Sequence, residues 1–208
     1  TPVTIVSHSL GGMVSLLYSG LYPETVRRLV AIEGLGLSPR MSAERAAKPL
    51  EGRLQSWVET LRKFSARVPR RYPSVEDAFH RMQEENPRLS PEQARHLTIH
   101  GVNQNEDGTY SWKFDNYVRV FPPCGLAEGE AERLWARIAC PTLLLRGTES
   151  WASDPERDGR IRHFQNATLV NVEGAGHWVH HDRLEIFMGL VRAFLGADRA
   201  QAASGVAS

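Results

Sequence analysis

The 208 residues are 41% hydrophobic and 24% charged, with 25 Lys+Arg against 24 Asp+Glu and a formal net charge of +1. That length suits roughly one domain, and the balanced charge excludes a strongly basic nucleic-acid binder and an acidic-tail protein. No apolar run reaches the ~18 residues of a membrane helix. The only cysteines, Cys124 and Cys140, exclude a disulfide scaffold and a cysteine-type zinc site and suit a reducing compartment.

In chain order, residues 2–6 (Pro-Val-Thr-Ile-Val) form a short β-branched run that reads as a buried strand. Ser7-His8-Ser9-Leu10-Gly11-Gly12 is a tight turn, and Leu10, Met13, Val14, Leu16, Leu17 and Leu21 then recur at helical spacing, with Pro23 beyond the end. Residues 28–33 read as a second buried strand, ended by Gly34-Leu35-Gly36. Residues 40–138 carry most of the charge and several prolines. Helices are predicted around 43–67, 74–85 and 90–98, with a polar turn at 103–109, so this stretch reads as a mostly helical insertion. A third strand at 141–146, a helix at 154–164, a fourth strand at 168–172 and an amphipathic helix at 181–196 follow. The Ala/Ser/Gly-rich tail 197–208 is expected to be disordered.

Strand–helix–strand, insertion, strand–helix–strand–helix is an α/β pattern. Its short continuous apolar strands suit a mostly parallel sheet covered on both faces. The core is expected at 1–39 and 139–196. The chain opens at Thr1-Pro2-Val3 inside an apolar run, and four strands make a thin sheet, so the chain reads as an N-terminally incomplete piece of a longer protein.

Chemistry concentrates at two places. Ser9 sits between a strand and a helix in a turn tight enough to demand small flanking residues. Such a bend lifts a hydroxyl out of the sheet and aims the N–H groups of the following helix at a developing oxyanion. The leading position usually held by Gly is Ser7 here. A hydroxyl needs a base to become a nucleophile at neutral pH. His177, in Glu173-Gly174-Ala175-Gly176-His177-Trp178, follows the last strand near the carboxyl edge of the sheet, where active groups collect in open α/β folds. A metal cluster of His177, His180, His181 and Asp182 is the weaker reading of that stretch. Three carboxylates are candidates to orient the imidazole. Glu33 ends an apolar strand, where an unpaired carboxylate is costly; Glu149 and Asp154 lie in the loop after strand 141–146.

The Ser7–Gly12 turn and the Gly174–Trp178 loop resemble the nucleophile and histidine motifs of the α/β-hydrolase family, in the family's order and over nearly the whole chain. The segment His100–Asp115 resembles the cap of the serine hydrolase-like branch. The resemblance implies a partial α/β-hydrolase fold with an inserted helical cap at 40–138 and a Ser-His-acid triad. In most members the acid follows the strand matching 141–146, three or four positions past the Gly, where Ser150 and Trp151 stand here. In another branch the acid ends the preceding strand, as Glu33 does, which favours Glu33.

The expected site is therefore catalytic Ser9, His177 and Glu33, the Leu10 N–H in the oxyanion hole, and Trp151 and Trp178 along the substrate pocket. The family's second oxyanion donor comes from a loop before the elbow strand, and losing such a donor costs about 2.7–4 kcal/mol of transition-state stabilisation. These 208 residues alone are thus expected to be a weak catalyst. The cap aromatics Trp57, Trp112, Phe114, Tyr117 and Phe121 read mainly as packing. The expected function is a serine hydrolase cleaving a carboxylic ester or related acyl compound. Alternatives are C–C bond hydrolysis or acyl transfer on the same triad, or a non-catalytic binding module. Ser9 argues against the family's epoxide and dehalogenation chemistry, which needs a carboxylate nucleophile. No cofactor and no metal are expected. The expected partner is a small-molecule substrate, with no nucleic acid and no membrane span, in the cytoplasm.

Overall fold

Apolar runs separated by helix-length intervals form parallel strands, because the chain must cross back over the sheet between them. The computed structural model describes residues 1–120, 122–126 and 129–204, with the side chains of 119 and 197–204 outside that description. The elements are β1 (Val3–His8), α1 (Leu10–Leu21), β2 (Val26–Ile32), α2 (Pro39–Ala46), α3 (Leu50–Ser65), α4 (Val75–Glu85), α5 (Pro91–Gly101), β3 (Val102–Gln104), β4 (Tyr110–Trp112), α6 (Glu130–Trp135), β5 (Thr142–Gly147), β6 (Ala167–Val172), α7 (Val179–Asp182) and α8 (Leu184–Ser204). They fall into two compact units, Thr1–Arg45 with Leu126–Ser208, and Ala46–Gly125.

The first unit is built on a four-stranded sheet of order β1-β2-β5-β6, parallel throughout. Side chains of β2 leave it alternately on two sides. Leu29 and Ala31 join Leu16, Trp135, Ile138 and Leu144 in one apolar cluster; Val30 and Ile32 join Leu143, Leu145, Val179 and Val191 in the other. Both faces of the central strands are thus dry, which is why they read as continuous apolar runs rather than alternating ones. Each fully buried Leu, Ile or Val contributes about 1.5–3 kcal/mol relative to exposure. β1 is an edge strand, and Val3 and Val6 on it are exposed.

The second unit holds α3, α4 and α5 with a hairpin of β3 and β4. Tyr72, Ala78 and Val102 form one small core with Trp112 packed against it; Phe79, Leu89 and Ala94 form another. Ser90 and Gln93 close a reciprocal capping box at the start of α5.

Several boundaries differ from the sequence expectations. The single helix expected at 43–67 is two, α2 and α3. Pro49 opens α3 from an extended conformation (φ −53°, ψ 143°), and a proline disfavours the helical region for the residue before it. The helix expected at 154–164 is instead a series of turns ending in the 3-10 turn Arg160–His163, because Gly159 takes a left-handed conformation at φ 83°. The helix expected at 181–196 is interrupted at Arg183 between α7 and α8. Beyond residue 196, α8 runs on to Ser204 through alanines that favour helix; residues 205–208 of the expected disordered tail lie outside the described residues, as does Phe121 of the expected cap aromatics. The strands β3 and β4 are too short to be read as strands, although the turn between them was legible. Helix α6, inside the stretch 40–138 expected as insertion, belongs to the sheet unit. Among the described residues no helix is long and apolar enough to cross a membrane.

Candidate active site

Ser9 caps α1 with φ 54° and ψ −118°, a conformation that L-residues avoid unless their surroundings enforce it. Two features enforce it. The Ser9 N–H donates to Ile32 O at 2.8 Å, continuing the β1–β2 pairing to the tip. Gly12 in the first turn of α1 lies so close to Gly34 that a Cβ there would stand 2.5 Å from the Gly34 Cα. The helix can leave the strand at this angle only where both chains lack side chains. Gly11, which the motif singles out, is less crowded: the nearest atom to a Cβ there is Ser7 Cβ at 3.8 Å. Ser7 is accommodated at the usual glycine position because its hydroxyl is fully used, lying 2.7 Å from Ser15 Oγ and donating to Val30 O at 3.1 Å.

His177 arrives from the loop after β6. Its Nε2 lies 2.9 Å from Ser9 Oγ and its Nδ1 lies 3.3 Å from Glu33 Oε2. With Nδ1–H donating to the carboxylate, Nε2 is left as the acceptor for the serine proton. The 3.3 Å contact is longer than the about 2.7–2.9 Å of a charge-assisted bond. The loop is held close to β5 by another side-chain-free contact, since a Cβ on Gly147 would stand 2.3 Å from the carbonyl oxygens of Ala175 and Gly176. Asp182 accepts from Gly176 N–H at 2.7 Å and Thr148 Oγ1 from Gly174 N–H at 3.0 Å.

Glu33 follows β2 directly and, like Ser9, has a positive φ, of 51°. Its side chain is wholly buried (0% exposed), which is tolerable only because donors converge on it. Gly147 N–H reaches Oε1 at 2.8 Å, and Ser150 Oγ donates to Oε2 at 2.7 Å beside His177. Of the other two carboxylates weighed from the sequence, Asp154 accepts from Glu156 N–H at 2.9 Å and lies 4.0 Å from Arg146. Glu149 supplies a backbone N–H to Ala175 O at 2.9 Å. The structure therefore brings Ser9, His177 and Glu33 together. Ser150, which stands where the family's acid commonly does, touches Glu33 instead.

Leu10 opens α1, so its N–H belongs to the first turn, whose N–H groups have no acceptor within the helix. Trp151 (64% exposed) and Trp178 (47% exposed) flank the imidazole, with ring centroids 5.3 and 5.9 Å from that of His177. Trp178 also lies parallel to His181, within 4° at 5.7 Å. Burial pushes the pKa of His8, His180 and His181 down; His180 reaches about 4, with the neighbouring imidazoles of His181, His8 and His177 adding to the effect. His180 and His181 thus favour the neutral form beside His177.

A family model described as the alpha/beta hydrolase family matches residues 1–188. The chain belongs to that family. Among curated relatives, a mouse (Mus musculus) sn-1-specific diacylglycerol lipase is 23% identical over 205 residues, covering 93% of this chain and 59% of the relative. A zebrafish (Danio rerio) serine hydrolase-like protein is 24% identical over 212 aligned positions, covering 97% and 64%. The chain thus spans about three fifths of the length of the curated relatives it matches. Two solved family folds superpose with a TM-score of 0.69: an E-2-(acetamidomethylene)succinate hydrolase at 20% identity, covering 93% of this chain and 66% of that one, and a thioesterase domain from the curacin biosynthetic pathway at 23% identity, covering 91% and 64%. At these identities the likeness is one of fold.

Proposed function

We propose that this α/β-hydrolase is a serine hydrolase that cleaves a carboxylic ester or a related acyl compound. The observation that carries the reading is the relay Ser9 Oγ–His177 Nε2–His177 Nδ1–Glu33 Oε2, at 2.9 and 3.3 Å. Ser9 Oγ attacks the acyl carbon while Nε2 takes its proton, and the carbonyl π pair moves onto oxygen. The Leu10 N–H, in the first turn of α1, donates to that oxyanion. Collapse of the tetrahedral adduct breaks the bond to the leaving oxygen, which receives the proton from Nε2. Water then attacks the acyl-Ser9, giving a proton to Nε2; collapse of this second adduct breaks the bond to Ser9 Oγ, which takes that proton back from Nε2 as the acid leaves. Glu33 holds the Nδ1–H tautomer and stabilises the transient imidazolium. The exposed indoles of Trp151 and Trp178 favour apolar groups beside the reacting carbon.

The test is a Ser9→Ala variant assayed on p-nitrophenyl esters of short and medium chain length. Turnover is expected to fall by about 10⁴-fold or more, and labelling by a fluorophosphonate probe to vanish. Turnover that survives the substitution rejects the reading.

A further inference from the structure

The sheet order creates a problem that the relay alone does not solve. Ser9 stands at the end of β1 and His177 after the end of β6, the two edge strands. Three strand spacings of about 4.8 Å, or about 14 Å in all, separate those strands. The histidine loop must therefore reach across β5 and β2 and stop in register with the serine.

Within the elbow itself, His8 supplies such a stop. Its Nε2 lies 2.8 Å from the backbone oxygen of His177. An oxygen of a carbonyl accepts only, so this contact requires an Nε2–H on His8. The ring is wedged among three others, with centroids 4.8 Å from His177, 4.9 Å from Trp178 and 4.7 Å from His180. The residue directly before the nucleophile thus grips the main chain of the residue that carries the base, 169 positions away.

Resting on the reading of Ser9 and His177 above, we propose that His8 is a positioning residue: its Nε2–H bond to the His177 carbonyl sets the distance between base and nucleophile. One end of the bond is on the elbow and the other on the histidine loop, so a drift of the loop along the sheet edge stretches this bond together with the Ser9–His177 bond. The neutral ring suits the task. Burial holds His8 below its ordinary pKa, which keeps a second positive charge away from His177 when that ring becomes an imidazolium. His180 and His181 face the same space and have lowered pKa values too, while the nearby anions are Glu33 for His8 and Asp182 for His181.

The experiment compares His8→Leu, which removes the donor, with His8→Gln, whose amide keeps an N–H at similar reach, in the same ester assay. Misplacing a reacting group by about 1 Å costs up to about 100-fold. His8→Leu is therefore expected to lower kcat by about ten- to 100-fold, with a smaller change in KM, because the lost bond acts on His177 while the side chain only packs beside Trp178. His8→Gln is expected to recover most of the loss. Should His8→Leu fail to fold, as judged by its thermal transition, His8→Phe keeps the ring packing without the donor and takes its place. Equal rates for the donor-free and donor-bearing variants overturn the proposal, as does a loss confined to KM. Ser9→Ala assayed alongside separates the two readings. If it is inactive while the His8 variants match each other, positioning by His8 is wrong and the serine mechanism stands; if it is active, both fall.

Discussion

In the sheet unit Glu33, Arg28 and Arg160 are buried, and the charged atoms of Glu33 and Arg160 meet several partners at fixed distances. Arg160 bonds Asp158, the carbonyls of Leu35 and Leu37, and both the carbonyl and hydroxyl of Ser153. It thereby ties the loop that follows Glu33 to the loop that carries Ser150. Asp158, although burial pushes its pKa up, is held below the ordinary range by hydrogen bonds from Arg160 and Ser153. In the second unit the ion pairs Arg95–Glu76, Arg71–Asp107 and Arg81–Glu85 join exposed side chains. Exposed pairs are screened by water and hold little in place. The contrast teaches that similar residue types serve different ends: buried charge fixes geometry around the candidate site, whereas charge on α4 and α5 keeps those helices hydrated.

Three substitutions break or sharpen that contrast. The largest effect belongs to the buried acid. Glu33→Gln keeps the shape but removes the charge that holds the His177 tautomer, and ester turnover is expected to drop by about 10⁴-fold; a drop below tenfold would show that the carboxylate is not part of the relay. Next comes Arg160→Met, which removes the guanidinium from Asp158 and from three part-buried carbonyls. Denaturant unfolding is expected to register a loss of about 3–5 kcal/mol, and an unchanged midpoint would mean that this arginine holds nothing together. The smallest effect lies in the second unit. Ser90→Ala opens the capping box of α5 and is expected to cost about 1 kcal/mol of stability without altering ester turnover. A large loss of activity there would erase the distinction between the units.

Much of the sheet unit was legible because its signals are local. The runs at β2 and β5 are continuous because both faces are buried, and the elbow is written in six consecutive residues between a strand and a helix. The burial of Glu33 was legible for a different reason: a carboxylate ending an apolar strand demands partners, and Glu33 has them in Gly147, Ser150 and His177. The helix expected at 154–164 failed because the segment serves Arg160 and its carbonyl partners rather than its own periodicity. The break between α7 and α8 at Arg183 left no mark in the apolar spacing either.

By itself the sequence determined the parallel α/β core and the strand–turn–helix around Ser9, since each follows from neighbours along the chain. Only the tertiary structure decided that Gly12 rather than Gly11 is the crowded glycine of that turn, that Ser150 bonds Glu33, and that His8 lies against the His177 carbonyl. Each of those depends on atoms brought together from distant strands, and contact across a sheet leaves no periodic trace in either segment.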